Sequence, residues 1–125
     1  MSRRWQNPRT PLWLASFLAA FIATHLPPSK MPSHMPVSNA VLHFLGYGAL
    51  GIMTVWRLGA EPTPLGLKRW FAWLAFLMGF AILDEVSQPL VGRSCELGDW
   101  TMDVCGIIVG MTIAAVFAHR RATRP

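Results

Sequence analysis

WTMDVCGIIVGMTIAAVFA, residues 100–118, decides how this chain folds. It carries a single charged side chain, Asp103, in an otherwise apolar or small-residue run. At ~1.5 Å per helical residue such a run reaches ~28 Å, close to the ~30 Å hydrocarbon thickness of a bilayer. Asp99, Asp103, Gly106, Gly110 and Ala114 recur at steps of three and four, which places them on one helix face. Small residues on that face allow a second helix to approach closely, and the two aspartates then point into a bundle with the glycines.

Working toward the N-terminus, three further apolar stretches appear. The expected spans are therefore about 11–26, 38–58, 67–83 and 100–118. Hydrophobic residues make up 53% of the 125-residue chain and charged ones 14%. A soluble domain carries about 25% charged residues, so this chain lacks the polar surface such a domain needs. The fold class that follows is all-α: one domain over residues 1–125, an integral membrane bundle of four transmembrane helices. Pro27, Pro28, Pro32 and Pro36 break the chain after the first span, and Gly59, Pro62, Pro64 and Gly66 after the second. A cleaved signal peptide is the competing reading of the first span. No small-x-small site follows it, because Ala23-Thr24-His25-Leu26 runs straight into two prolines.

Charge placement sets the expected orientation. Nine of the eleven Lys and Arg residues (Arg3, Arg4, Arg9, Arg57, Lys68, Arg69, Arg120, Arg121 and Arg124) fall on one side of the four spans, and only Lys30 and Arg93 on the other. Both termini are then expected to be cytoplasmic, in a multi-pass protein of the cell membrane. The same placement at span ends argues against nucleic acid as a partner, since there is no basic stripe. The tryptophans Trp5, Trp13, Trp56, Trp70, Trp73 and Trp100 sit near span ends and read as an interfacial belt. Cys95 and Cys105 match no zinc spacing and read as free thiols; no metal ligand set and no cofactor is assigned.

Five of the six acidic residues, Asp84, Glu85, Glu96, Asp99 and Asp103, crowd into twenty positions between the last two spans. Counting from the basic residue at the cytoplasmic end of each span, His25, His43, Asp84 and Asp103 are fourteen to seventeen residues distant. That is ~21–26 Å up each helix, so one polar layer lies just beneath the outer interface. Ionisable groups at such depth are costly and mark function by default. His43 and Tyr47 are four apart and share a face with Gly51, and Gln88 can accompany either Asp84 or Glu85. Those two adjacent acids diverge by about 100° around the helix, which predicts that only one is fully inward. Asp99 is a good N-cap for a helix starting there; Asp103, one turn deeper, is not explained that way. Arg93 is either a loop cation or the partner of the carboxylates. His25 and His34, beside the proline-rich loop, read as surface groups. The candidate polar layer is thus His43, Tyr47, Asp84, Glu85, Gln88, Arg93, Asp99 and Asp103, with Gly106 and Gly110 as packing residues.

The run Asp84-Glu85-x-x-Gln88, then Gly92-Arg93, Asp99, Gly106 and Gly110, resembles the signature of the VanZ-like family of small four-span bacterial membrane proteins. The His43-x-x-x-Tyr47 pair is similar to that family's second span, and the likeness covers roughly residues 30 to 112. Two departures stand out. An Asp-Lys pair often precedes the His where this chain has Asn39-Ala40, and an Asn is usual where it has Asp103. The family takes its name from a protein associated with low-level teicoplanin resistance, so the resemblance implies a cell-envelope role.

Three functions compete at this stage. One is a module that binds a membrane lipid or lipid-linked envelope precursor through the outward polar layer, with Arg93 on a phosphate or carboxylate. The second is a membrane-embedded enzyme in which His43 and Glu85 act as acid or base, or in which carboxylates hold Mg²⁺ or Ca²⁺. Against it, no nucleophile elbow or HExxH spacing occurs. The third is a proton-coupled transporter, which four short spans would support only as a homo-oligomer, assembled through Gly106 and Gly110.

Overall fold

The computed structural model describes residues 7–31, 37–61 and 64–123, and every regular element among them is helical. Four helices form the bundle: α1 (Thr10–Thr24), α2 (Asn39–Leu58), α3 (Leu67–Ser87) and α4 (Leu97–Ala122). The last three are long and apolar enough to cross a membrane; α1 is apolar but only 15 residues long. Several expectations for Arg3, Arg4, Trp5, His34, Pro32, Pro36, Pro62 and Arg124 lie outside the described residues.

Helix ends follow local chemistry. Ser38 caps α2, its hydroxyl accepting from the Val41 amide. Pro11 sits in the first turn of α1, where the missing N–H costs nothing. At the far end of α3 the chain tightens into a 3-10 turn over Gln88–Val91 and is closed by Gly92 at φ 78°, which turns Arg93 back toward the bundle. The helix thus runs past the expected limit at residue 83, so Asp84 and Glu85 are helical. Residue 97 opens α4, earlier than expected, with Glu96 as its N-cap residue. Asp99 is therefore not the cap. It lies in the first helical turn, where a carboxylate meets the positive end of the helix dipole.

The tightest crossing joins α2 to α4, and glycine makes it possible. A Cβ on Gly106 would meet the Phe44 carbonyl oxygen, and one on Gly110 the carbonyl oxygen of Gly48. A Cβ on Gly51 would stand 2.8 Å from the Ile107 oxygen. The Gly106/Gly110 face is thus spent on packing within the chain, not left over for assembly. Tyr47, Leu50, Val55, Leu77, Ala81, Ile107 and Met111 close the core around this crossing. Outside, large apolar side chains such as Leu12, Leu18, Leu83 and Phe117 are exposed, the distribution expected of a surface that faces lipid.

At the end where α1 begins, a second polar cluster ties the helices together. Trp13 does not join an exterior belt. It is buried, its indole N–H donates to Thr54 Oγ1 at 3.0 Å, and its ring lies under the Arg57 guanidinium at 4.8 Å. Arg57 also pairs with Glu61 at 3.1 Å, and Glu61 is bound by Arg69 as well. Burial of that ring follows from its position on the α1 face that packs on α2 and α3, where Phe17 and Trp73 meet it edge-on.

Candidate functional site

At the opposite end all four helices contribute to one buried polar layer. α2 supplies His43 and Tyr47, one turn apart and both buried, because the same helix face carries Leu50 and Gly51 into the core. α4 supplies Asp99 and Asp103 on the face that carries Gly106 and Gly110. His43 Nδ1 is hydrogen-bonded to Asp103 Oδ1 at 2.9 Å, and its Nε2 lies 3.6 Å from Asp99 Oδ2. The imidazole is therefore held between two carboxylates one helical turn apart.

Both acids of α3 are buried, Asp84 at 0% and Glu85 at 3% exposure, so the expectation that only one turns inward fails. The reason is that α3 has partners on both flanks. Asp84 turns toward α1, where Thr24 Oγ1 donates to its Oδ1 at 2.8 Å. Glu85 turns toward the start of α4, where it accepts the Glu96 amide N–H, and Gln88 Nε2 donates to its other oxygen at 3.0 Å. A 100° divergence thus separates their partners and not their burial.

His25 is not a surface group either. As the C-cap residue of α1 it places Nε2 at 2.9 Å from Ser87 Oγ and Nδ1 at 3.5 Å from Asp84 Oδ1. This Ser–His–Asp alignment has a local explanation as well: Ser87 Oγ also reaches the Leu83 and Asp84 carbonyls, and His25 Nδ1 reaches that of Phe21. Both side chains satisfy helix-end groups that the turn leaves open.

Arg93 makes no ion pair with a carboxylate among the described residues. Its guanidinium donates to Asn39 Oδ1 at 2.9 Å and touches the Met31 sulfur. Asn39 in turn donates through Nδ2 to Asp99 Oδ2. The amide is a spacer: it turns one face to the cation and the other to the anion, and keeps the two from collapsing together. Asn39 registered in the sequence only as a departure from a charged pattern, and nothing in its spacing announced this role.

Between α1 and α2 a cleft of about 260 Å³ opens onto this layer. Ala20 and Ala23 on α1 and Leu42 and Gly46 on α2 make its walls almost wholly apolar, while His43, Tyr47, Asn39 and Arg93 bring polar atoms to it. Gly46 contributes by absence, since a Cβ there would meet nothing within 4 Å. Among the described residues, several buried polar atoms around the layer lack a hydrogen-bond partner: the Tyr47 hydroxyl, Asp84 Oδ2, Gln88 Oε1 and Asp103 Oδ2.

The residues that compose this layer are those on which the sequence resembles a known family, and a family model described as VanZ/LLP1 matches residues 4–118. The chain belongs to the VanZ/LLP1 family. No curated protein and no solved structure matches it. A VanZ/LLP1 assignment and three helices able to cross a membrane together make this a membrane protein. Of the VanZ-like signature residues, Asp84, Glu85, Gln88 and Asp99 are buried in the layer, Arg93 stands at its rim, and Gly106 and Gly110 form the helix crossing beneath it.

Proposed function

We propose that this VanZ/LLP1 protein binds an anionic amphiphile of the bacterial envelope, a lipid or lipid-linked cell-wall precursor, in the cleft between α1 and α2. The observation that carries the reading is the division of chemistry inside the cleft. Apolar walls suit an acyl or isoprenoid chain, and Arg93 with Asn39 supplies the donors a phosphate takes. His43 and Tyr47 lie deeper, next to the carboxylates, where headgroup hydroxyls or amines fit. Placed on the outward face, as the charge pattern asks, the cleft opens toward the outer leaflet. Protection against a teicoplanin-type glycopeptide would then arise from sequestering a precursor that the antibiotic competes for.

The test is binding of fluorescent anionic and zwitterionic lipids to purified protein in neutral detergent. Gly46→Leu, which fills the cleft, and Arg93→Gln, which removes the charge at its mouth, should each weaken anionic lipid at least tenfold. Zwitterionic lipid should respond to Gly46→Leu alone. If both variants retain full anionic-lipid binding with an intact helical spectrum, the cleft is not the site.

A second reading, a membrane-embedded enzyme acting on a lipid-linked substrate, is favoured by the His43–Asp103 pair, since His43 lines the cleft. A carboxylate that orients an imidazole is a general acid–base arrangement. Turnover of a lipid pyrophosphate, abolished in His43→Gln while binding persists, would select it over simple binding.

A further inference from the structure

Three side chains from three helices, His43 of α2, Glu85 of α3 and Asp103 of α4, bring one donor atom each to within 4.8 Å of one another. All three are buried. Two atoms bound to one ion at ~2.0–2.2 Å cannot stand farther apart than ~4.4 Å, so the side chains must close by at least about half an ångström where a pair stands at the 4.8 Å limit. His43 Nδ1 and Asp103 Oδ1 already stand 2.9 Å apart, the separation of neighbouring ligands in an octahedral shell.

The surroundings add two independent facts. The first concerns charge. Asp84, Glu85, Asp99 and Asp103 share the layer, all buried, and among the described residues their ion-pair partners are only the imidazoles of His25 and His43. Arg93 approaches Asp99 only through Asn39 among the described residues. Removing several carboxylates from water without a compensating cation is expensive, several kcal/mol per ion by any measure. The second concerns geometry. Asp103 Oδ2 belongs to a fully buried side chain and has no hydrogen-bond partner among the described residues, although its own carboxylate contributes to the cluster.

We infer that His43, Glu85 and Asp103 form a binding site for a divalent transition-metal cation, of the class of Mn²⁺ or Zn²⁺. One imidazole nitrogen among oxygen donors favours these over Ca²⁺ or Mg²⁺, which prefer all-oxygen shells. The outer contacts fit the role. Asp99 faces the far ring nitrogen of His43 at 3.6 Å, as a carboxylate does when it orients a ligating histidine. Glu85 is steadied by Gln88 and by the Glu96 amide, which leaves lone pairs on its oxygens for an ion. The site stands on residues of the bundle interior and does not depend on the lipid reading.

The test is metal titration of chelator-stripped protein in detergent, with Mn²⁺ followed by electron paramagnetic resonance and Zn²⁺ by elemental analysis after gel filtration. One ion per chain is expected, with nitrogen coupling from a single imidazole in the electron spin-echo spectrum of bound Mn²⁺. Glu85→Gln and Asp103→Asn should each weaken binding at least tenfold, and Cys95→Ser, an exposed side chain outside the cluster, should not. Failure of the wild-type protein to bind either ion at millimolar concentration overturns the proposal. So does bound Mn²⁺ without nitrogen coupling, a readout that stands even if a variant fails to fold.

Discussion

The α2–α4 crossing makes a quantitative demand on Gly110. A Cβ added there would meet the Gly48 carbonyl oxygen and would stand 2.9 Å from its carbon and 3.1 Å from the Gly48 Cα. Ordinary contact begins near 3.4 Å. Every atom it meets is backbone, so nothing can rotate away, and the two helices must part by at least about half an ångström along their most intimate contact. Overpacking of this kind costs ~1–3 kcal/mol, and the rigid neighbour argues for the upper half of that range. Gly79→Ala on α3 is the matched control, because a Cβ there meets nothing within 4 Å. It should be neutral or gain ~0.5–1 kcal/mol from the better helix former. Unfolding both variants with a strong detergent in mixed micelles, followed by far-ultraviolet circular dichroism, should therefore separate them by ~2–4 kcal/mol. His43 and Asp103 lie on the same two helices, so Gly110→Ala should also weaken the proposed metal binding without touching a proposed ligand. Equal stability of the two variants would refute the close-packing argument.

Two further outcomes follow from the other end of the bundle and from the loop. Thr54→Val preserves volume but removes the acceptor of the buried Trp13 N–H, so it should cost ~1–3 kcal/mol in the same unfolding assay, while Thr54→Ser should restore much of that; a valine variant as stable as the parent would sink the claim. Cys95 is exposed in the loop before α4, and Cys105 is exposed on a helix long enough to cross a membrane. A membrane-impermeant maleimide added to intact cells should label Cys95 and spare Cys105, and labelling of Cys95 only after permeabilisation would reverse the orientation read from charge.

Much of the architecture is legible in the sequence, and the reasons it stops being legible are physical. Span number and the small-residue face of α4 follow from composition and spacing, since hydrocarbon admits few alternatives. His43, Tyr47 and Asp103 could be placed inward because the glycines on their own helices declare which face is packed. Asp84 and Glu85 could not be resolved the same way. Their fate depends on what stands on either side of α3, and Thr24 and the Glu96 amide lie sixty and eleven residues away in the chain. Asn39 and His25 escape for a related reason: each works through a hydrogen bond to another helix, and a single polar residue has no periodicity to reveal it. Trp13 was misplaced by a statistical preference of tryptophan for interfaces, overridden here by a buried hydroxyl that accepts from its indole.

If the cleft binds lipid as proposed, the brevity of α1 bears on how that lipid reaches it. Fifteen residues rise ~22 Å, about 8 Å short of an average hydrocarbon core, a mismatch that local thinning of the bilayer would accommodate where α1 crosses it. α1 is one wall of the cleft, so a thinned annulus would lie along the cleft itself. Under the lipid-binding proposal, headgroups beside α1 would then be drawn down toward Arg93 and His43, with their tails directed sideways between α1 and α2. The short helix would in this sense be a dimple in the membrane, and the membrane's own elasticity would become part of how the proposed lipid site is loaded.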